Sequence, residues 1–296
     1  TKHSVKDFLQ QGVQPDIIVC RTEHTLTESV RDKISLFCNI DRASVIESID
    51  APTIYEVPFN MLREGLDIQV LKKLGISAKG EPDLEKWKSF LYRLKNPLTE
   101  VNIGLVGKYV ELKDAYKSIS EAFIHAGAAT QCKVKIKWIH SEKLEDNPDC
   151  IQEELQGLNG ILVAPGFGSR GIEGKIMAVR YARENKIPFL GICLGMQCAV
   201  IEFARNVLGY KDAHSVEMSA STTHPVIDIM EEQKLIQNMG GTMRLGAYPC
   251  KLKENTKIYS AYQKENISER HRHRYEFNNV YRVETENAGM RLSGLS

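Results

Sequence analysis

The residues best placed to do chemistry lie in Gly191-Ile192-Cys193-Leu194-Gly195-Met196-Gln197. A cysteine with a glycine two positions before and two after it is spaced for a sharp strand-to-helix turn, which lifts the sulfur out at the sheet edge. The first turn of a helix presents the positive end of the aligned peptide dipoles, so the spacing predicts that thiolate is favoured over thiol. The N–H of Leu194 is then positioned to stabilise an oxyanion when the sulfur attacks an acyl carbon. Taken alone, G-x-C-x-G is met equally well by an inert thiol inside a strand, so the surrounding elements decide between the two.

A second cluster, Ala164-Pro165-Gly166-Phe167-Gly168-Ser169-Arg170-Gly171, follows the preceding apolar run. Glycines let backbone approach a substrate closely. If the two strands are neighbours, Gly166 N–H becomes the second oxyanion donor; otherwise the segment is a plain glycine turn. Gly166, Gly168 and Gly171 have the G-x-G-x-x-G spacing of a dinucleotide loop. No acidic residue closes the next strand to hold a ribose, and Cys193 stands there instead. Gly104, Gly107 and Lys108 lack the spacing of a phosphate-binding P-loop.

These clusters need strands and helices to hold them. From residue 101 the pattern alternates. Strands are expected at 101–107, 133–139, 160–164 and 187–192, and helices at 114–126, 150–158, 173–185 and 194–207. Strict alternation over 133–139 marks an edge strand. Strand–helix alternation at this spacing predicts an α/β fold, a doubly wound and largely parallel sheet with its site at the carboxyl ends of the strands. Residues 1–76 form a partial α/β unit. It has a buried-type strand at 16–20, a helix at 29–38 with Val30, Ile34 and Phe37 on one face, a strand at 43–48 and helical turns from about Asn60 to Leu74. Residues 77–100 are polar, contain a helix near 83–94, and read as an interdomain linker.

The chain has 296 residues, enough for about two domains. Lys+Arg number 39 and Asp+Glu 38, so the net charge of +1 offers no field to hold a nucleic-acid backbone. No apolar run reaches the length of a bilayer span, and the N-terminus has neither an apolar signal core nor a Met. The chain therefore reads as an internal piece of something longer, and its thiols fit a reducing cytosol, so a cytoplasmic location is expected. Seven cysteines in loose spacing without a CxxC argue against a zinc site or a disulfide scaffold, and no metal ligand set is expected.

PFLGICLGMQ, preceded by GFGSRGIEGK, resembles the glutaminase domain of the CTP synthase family. GLVGKYVELKDAYKSI, EFARNVLG, THPVIDIM, GGTMRLG and ERHRHRYE agree with it over residues 101–296. HSVKDFLQQGVQPDIIVCR and KISLFCNI resemble the end of that family's synthetase (amidoligase) domain. The resemblance implies a class I glutamine amidotransferase domain at 101–296, preceded by the linker at 77–100 and the synthetase portion at 1–76. It implies that L-glutamine is hydrolysed through a thioester on Cys193, and that the ammonia aminates UTP to CTP after ATP phosphorylates the uracil O4. Gly166 and the turn Leu194, Gly195, Met196 and Gln197 would hold the substrate, with Glu217 and Arg274 binding its amino-acid end. Both charges also fit an ordinary solvated surface. Lys33 matches a lysine that contacts the pyrimidine nucleotide, although a solvated helix lysine fits equally. Arg244 would act in a lid near the site where GTP activates allosterically. Mg2+ and most of the ATP site would lie outside this chain, and the full-length family is homotetrameric.

The family's catalytic His-Pro-Glu motif has no counterpart in the 296 residues. His224-Pro225-Val226 lacks the glutamate, and neither His271 nor His273 is assigned as the base. By itself the chain is expected to turn over glutamine poorly. A stand-alone glutaminase of the same fold and a non-catalytic assembly module remain the alternatives. Pro165-Gly166 also stands where the family often has Gly-Gly, which leaves one fewer free N–H beside the oxyanion.

Overall fold

The computed structural model describes residues 1–77, 80–229 and 243–296. Ala78 and Lys79 of the expected linker, Met230 of THPVIDIM, and Gly240, Gly241 and Thr242 of the expected lid lie outside them. The chain divides into two compact units, Thr1–Asn96 and Pro97–Ser296.

In the first unit, helix α1 (Lys2–Gln10) leads to strand β1 (Ile18–Thr22), helix α2 (Glu28–Cys38) and strand β2 (Val45–Ile49). β1 and β2 pair in parallel, Ile18 opposite Val45. β1 differs from the buried strand expected at 16–20: it starts two residues later, and Cys20 is its buried residue. The expected inner face of α2 is also open, with Phe37 56% and Val30 39% exposed. Two strands offer too little apolar surface to cover a whole helix face, and burial concentrates on Cys38, Val45 and Ile46. Helices α3 (Val57–Arg63) and α4 (Leu66–Lys73) follow. Arg31 joins three elements, donating to Val45 O and to Glu64 at 2.8 Å, with Glu47 at 3.6 Å. Helix α5 (Glu85–Lys95), expected within the linker, packs into this unit. Trp87 Nε1 donates to Tyr55 O at 2.8 Å, and the Phe90 ring meets Tyr55 edge-on at 5.0 Å.

The second unit is built on strands β3 (Thr99–Gly107), β4 (Cys132–His140), β5 (Gly160–Val163) and β6 (Phe189–Gly191). All pair in parallel, in the order β4-β3-β5-β6. β4 is the edge, and its exposure alternates along the strand as its sequence does. β5 is central and buried at every residue. Each large aliphatic side chain buried there contributes roughly 1.5–3 kcal/mol relative to exposure. Helices α6 (Lys117–Thr130), α7 (Ser141–Asp146), α8 (Ile151–Leu155) and α9 (Ile172–Glu184) make the crossovers, and α10 (Leu194–Asn206) follows β6. α8 is shorter than the helix expected at 150–158, because a 3-10 turn precedes it and Gly157 follows at φ +72°.

Two bidentate ion pairs brace α9 against α10. Arg183 grips both carboxylate oxygens of Glu202 at 2.8–3.1 Å, and Arg205 grips those of Glu173 at 2.8 and 3.0 Å. Two small sheets complete the unit. β7 (His214–Ser215), β8 (Pro225–Ile229) and β11 (Tyr275–Phe277) form one, in the order β11-β8-β7. β9 (Arg244–Leu252), β10 (Asn266–His273) and β12 (Gly294–Leu295) form the other, antiparallel in the order β10-β9-β12. Helix α11 (Lys257–Tyr262) joins β9 to β10, and α12 (Arg282–Asn287) follows β11. Among the described residues no helix is long and apolar enough to cross a membrane.

Candidate active site

The corner between β6 and α10 is closed by hydrogen bonds on both sides of the cysteine. Ile192 N–H donates to Val163 O at 3.1 Å, Gly195 N–H to Ile192 O at 2.9 Å, and Gln197 N–H to Cys193 O at 3.1 Å. Cys193 itself takes φ 52° and ψ −107°, a region that side-chain-bearing residues seldom occupy. Both flanking glycines are sterically required. A Cβ on Gly191 would sit 2.4 Å from the Gly195 carbonyl carbon, and one on Gly195 would sit 2.1 Å from Val163 O. The G-x-C-x-G spacing is thus the imprint of two backbones touching.

Because β5 and β6 are neighbours, the loop after β5 lies against this corner. A Cβ on Gly166 would come 3.4 Å from Leu194 Cδ2. The loop is held from behind by two buried lysines. Lys108 Nζ donates to Phe167 O and, at 3.4 Å, to Gly168 O. Lys175 Nζ donates to Ala164 O at 3.1 Å. Gly168 N–H donates to Glu217 Oε1 at 2.9 Å. The peptide joining Phe167 to Gly168 is therefore clamped at both ends, its carbonyl by an ammonium and its N–H by a carboxylate.

The corner opens into a cavity of about 290 Å³, lined by Cys193, Met196 and Gln197 from the elbow and by β9, β10, β11 and the C-terminal residues opposite. Gln197 turns its Nε2 to Tyr275 O at 3.0 Å, which ties α10 to β11. On the far wall, His271 Nδ1 and His273 Nε2 share a hydrogen bond of 2.9 Å. His273 Nδ1 lies 3.5 Å from Glu276 Oε1. Burial holds both imidazoles below their ordinary pKa, and Arg244 adds to the effect, so both are neutral near pH 7.

The expectation of a favoured thiolate is corrected by the structure. Burial raises the Cys193 thiol above its ordinary pKa. The Leu194 N–H and the Lys175 ammonium oppose that rise, while the Glu217 carboxylate adds to it. The helix end acts in the expected direction, but desolvation outweighs it. Arg244, expected in the lid, stands on the cavity wall. It opens β9, pairs with Glu276 at 3.0 Å, donates to Ser296 Oγ at 2.8 Å, and lies over the Tyr248 ring at 4.2 Å.

The structure thus brings Cys193, Met196, Gln197 and Arg244 to one cavity, with Gly166, Leu194 and Gly195 packed beside it. Glu217 reaches the loop through Gly168. Arg274 occupies the one-residue break between β10 and β11, between His273 and Tyr275 of the cavity wall but outside the lining. Lys33 belongs to α2 in the first unit. Sequence reasoning missed Lys175, although a charge at a core position was its signal: it shares a face of α9 with Ile172, Ile176 and Val179.

The comparisons agree with this geometry. A family model described as class I glutamine amidotransferase matches residues 111–296, and one described as the N-terminus of CTP synthase matches residues 1–76. The chain belongs to the class I glutamine amidotransferases, and within them to the CTP synthase family. A CTP synthase of Cytophaga hutchinsonii is 64% identical over all of this chain and 54% of its own length. One of Flavobacterium johnsoniae is 60% identical and one of Methanocaldococcus jannaschii 56% identical, each over the whole chain and 55% of the relative. The chain therefore spans about half the length of the CTP synthases it matches. The glutaminase domain of Trypanosoma brucei CTP synthase with bound acivicin superposes with a TM-score of 0.61 at 40% identity, covering 66% of this chain and 74% of that one.

Proposed function

We propose that the second unit hydrolyses L-glutamine at Cys193, and that in the complete protein the ammonia released converts UTP to CTP with ATP cleaved to ADP and phosphate. The observation that carries the reading is a cysteine at φ 52° on a strand-to-helix corner, opening into a cavity beside a glycine loop. Cys193 Sγ attacks the side-chain amide carbon, and the developing oxyanion is met by the N–H groups of Leu194 and Gly166. The C–N bond breaks, ammonia leaves with the proton given up by the thiol, and water hydrolyses the thioester to glutamate and restores the Cys193 thiol. Glu217 offers a carboxylate to the substrate ammonium, and Arg274 a guanidinium to its carboxylate. A raised thiol pKa makes a general base necessary. The His-Pro-Glu motif implied for that task is not among these residues, so full turnover is assigned to the complete protein.

ATP, Mg2+, GTP activation, a homotetramer and a cytoplasmic location belong to the same proposal and rest on the family. Among the described residues no group of three His, Cys, Asp or Glu side chains is arranged to hold a metal. The test is treatment of the folded protein with diazo-oxo-norleucine, a glutamine-mimicking electrophile, followed by peptide mass spectrometry. One adduct on Cys193 is expected, with none on the other six cysteines. An adduct elsewhere, or none in folded protein, refutes the assignment.

A further inference from the structure

Among the described residues Lys175 is the largest fully buried side chain, at 0% exposure, and it is a cation. Lysine is almost never buried this completely without a partner of opposite charge. The groups acting on it are the thiols of Cys198 and Cys193 and the ammonium of Lys108, and among the described residues no carboxylate is one of them. Its hydrogen bond goes to Ala164 O, the last carbonyl before Pro165-Gly166. A Cβ on Gly166 would come 3.6 Å from Lys175 Nζ and 3.7 Å from Lys108 Cε, so both lysines stand directly behind the oxyanion loop. A methionine or leucine would fill this space without the desolvation cost, so its retention in a core face calls for a use of its charge.

The geometry points to Lys175 as a positioning residue for glutamine hydrolysis, its ammonium fixing the foot of the oxyanion loop and supporting the negative charge that forms on Cys193 Sγ. This rests on the proposed reaction at Cys193. The Ala164 carbonyl accepts from Lys175 while the Phe167 carbonyl accepts from Lys108, so both carbonyls face inward. Across a trans peptide the N–H points opposite to the carbonyl. The Gly168 N–H accordingly points away from Lys108, to Glu217. Lys108 and Lys175 approach from the buried side, Glu217 from the segment after β7, Cys198 from α10, and Cys193 from the corner. Glu173 and Arg205 act one step further out, on Cys198. Burial brings the Lys175 pKa down to about 8, so the ammonium is present at neutral pH and is lost as the pH rises above that value.

The test uses the intact protein and two variants, Lys175→Met, which removes both the charge and the donor, and Lys175→Gln, which keeps a donor for Ala164. The rate of Cys193 alkylation by iodoacetamide is measured against pH by peptide mass spectrometry, alongside thermal melting. Both variants are expected to melt at or above the wild-type temperature, because a buried cation has been removed. Both are expected to slow Cys193 alkylation roughly tenfold below about pH 8, where the wild-type ammonium is present, with the difference narrowing as the pH rises above that value. A folded variant whose alkylation rate below about pH 8 matches the wild type overturns the proposal. Loss of the fold in both variants would also overturn it, by making Lys175 a structural residue only. Failure of the glutaminase reading has a different signature. Diazo-oxo-norleucine then leaves Cys193 unlabelled at every pH, while the iodoacetamide profile still reports on Lys175.

Discussion

Replacing Gly195 by alanine puts one methyl group into the closest backbone approach at the site. The new carbon would lie 2.1 Å from Val163 O, 2.9 Å from Val163 C and 3.1 Å from Val163 Cβ. None of these neighbours is a flexible side-chain tip. Val163 is the buried last residue of β5, paired with β6, and its carbonyl already accepts from Ile192 N–H. The first turn of α10 must therefore retreat by about 1 Å, carrying Cys193 and the Leu194 N–H with it. Overpacking of this kind costs about 1–3 kcal/mol, and a displacement of about 1 Å at a reacting centre costs about 100-fold in rate. Urea unfolding measures the first and the second-order rate of diazo-oxo-norleucine labelling the second. Gly168→Ala is the control. Its Cβ meets nothing within 4 Å, but φ is +71°, so only a backbone penalty of about 1 kcal/mol is expected. If Gly195→Ala stayed within about 0.5 kcal/mol of wild type and kept its labelling rate, the argument that the glycine spacing records two touching backbones would be wrong.

Two further outcomes follow from the charges. Glu217→Gln keeps an acceptor for Gly168 N–H but removes a negative charge that raises the Cys193 pKa. Iodoacetamide alkylation at neutral pH should rise severalfold, while labelling by the glutamine analogue falls about tenfold for want of an ammonium partner; two rates moving together would contradict this split. Hydrogen bonds from Thr223, with help from His224, hold the Asp212 carboxyl well below the usual carboxylate range. A carboxyl depressed in the folded state adds stability above its unfolded pKa, and that stability is lost as the pH falls through the lower folded value. Asp212→Asn should therefore flatten the loss of urea resistance below about pH 4, and an unchanged acid limb would remove Asp212 from that role.

The corner and its loop were legible because each is written locally. The glycines at 191 and 195 report a backbone contact, and three glycines at 166–171 report a loop beside it. The parallel order of β3, β5 and β6 then makes the two adjacent. What stayed hidden depends on surroundings that no spacing encodes. Dipole reasoning at α10 named a real effect on Cys193, yet burial of the thiol decides the sign of the net shift. Lys175 falls on the apolar stripe of α9, but only the packing of that helix shows its ammonium held inside rather than led out to solvent. Arg244 sits in a glycine-containing string that reads as a loop, whereas pairing with β10 makes it the start of a strand anchored to Glu276. In the first unit the strands and α2 were legible, but the open face at Phe37 was not, because exposure depends on how many strands stand against it.

Position 193 sets folding and chemistry against each other. A side chain held at φ 52° and ψ −107° stores about 1–3 kcal/mol that a glycine there would release. Any selection that rewards heat resistance alone is pulled toward discarding the sulfur first. A relative that still carries cysteine at this corner is one in which use of the thiol has outweighed a standing incentive to lose it.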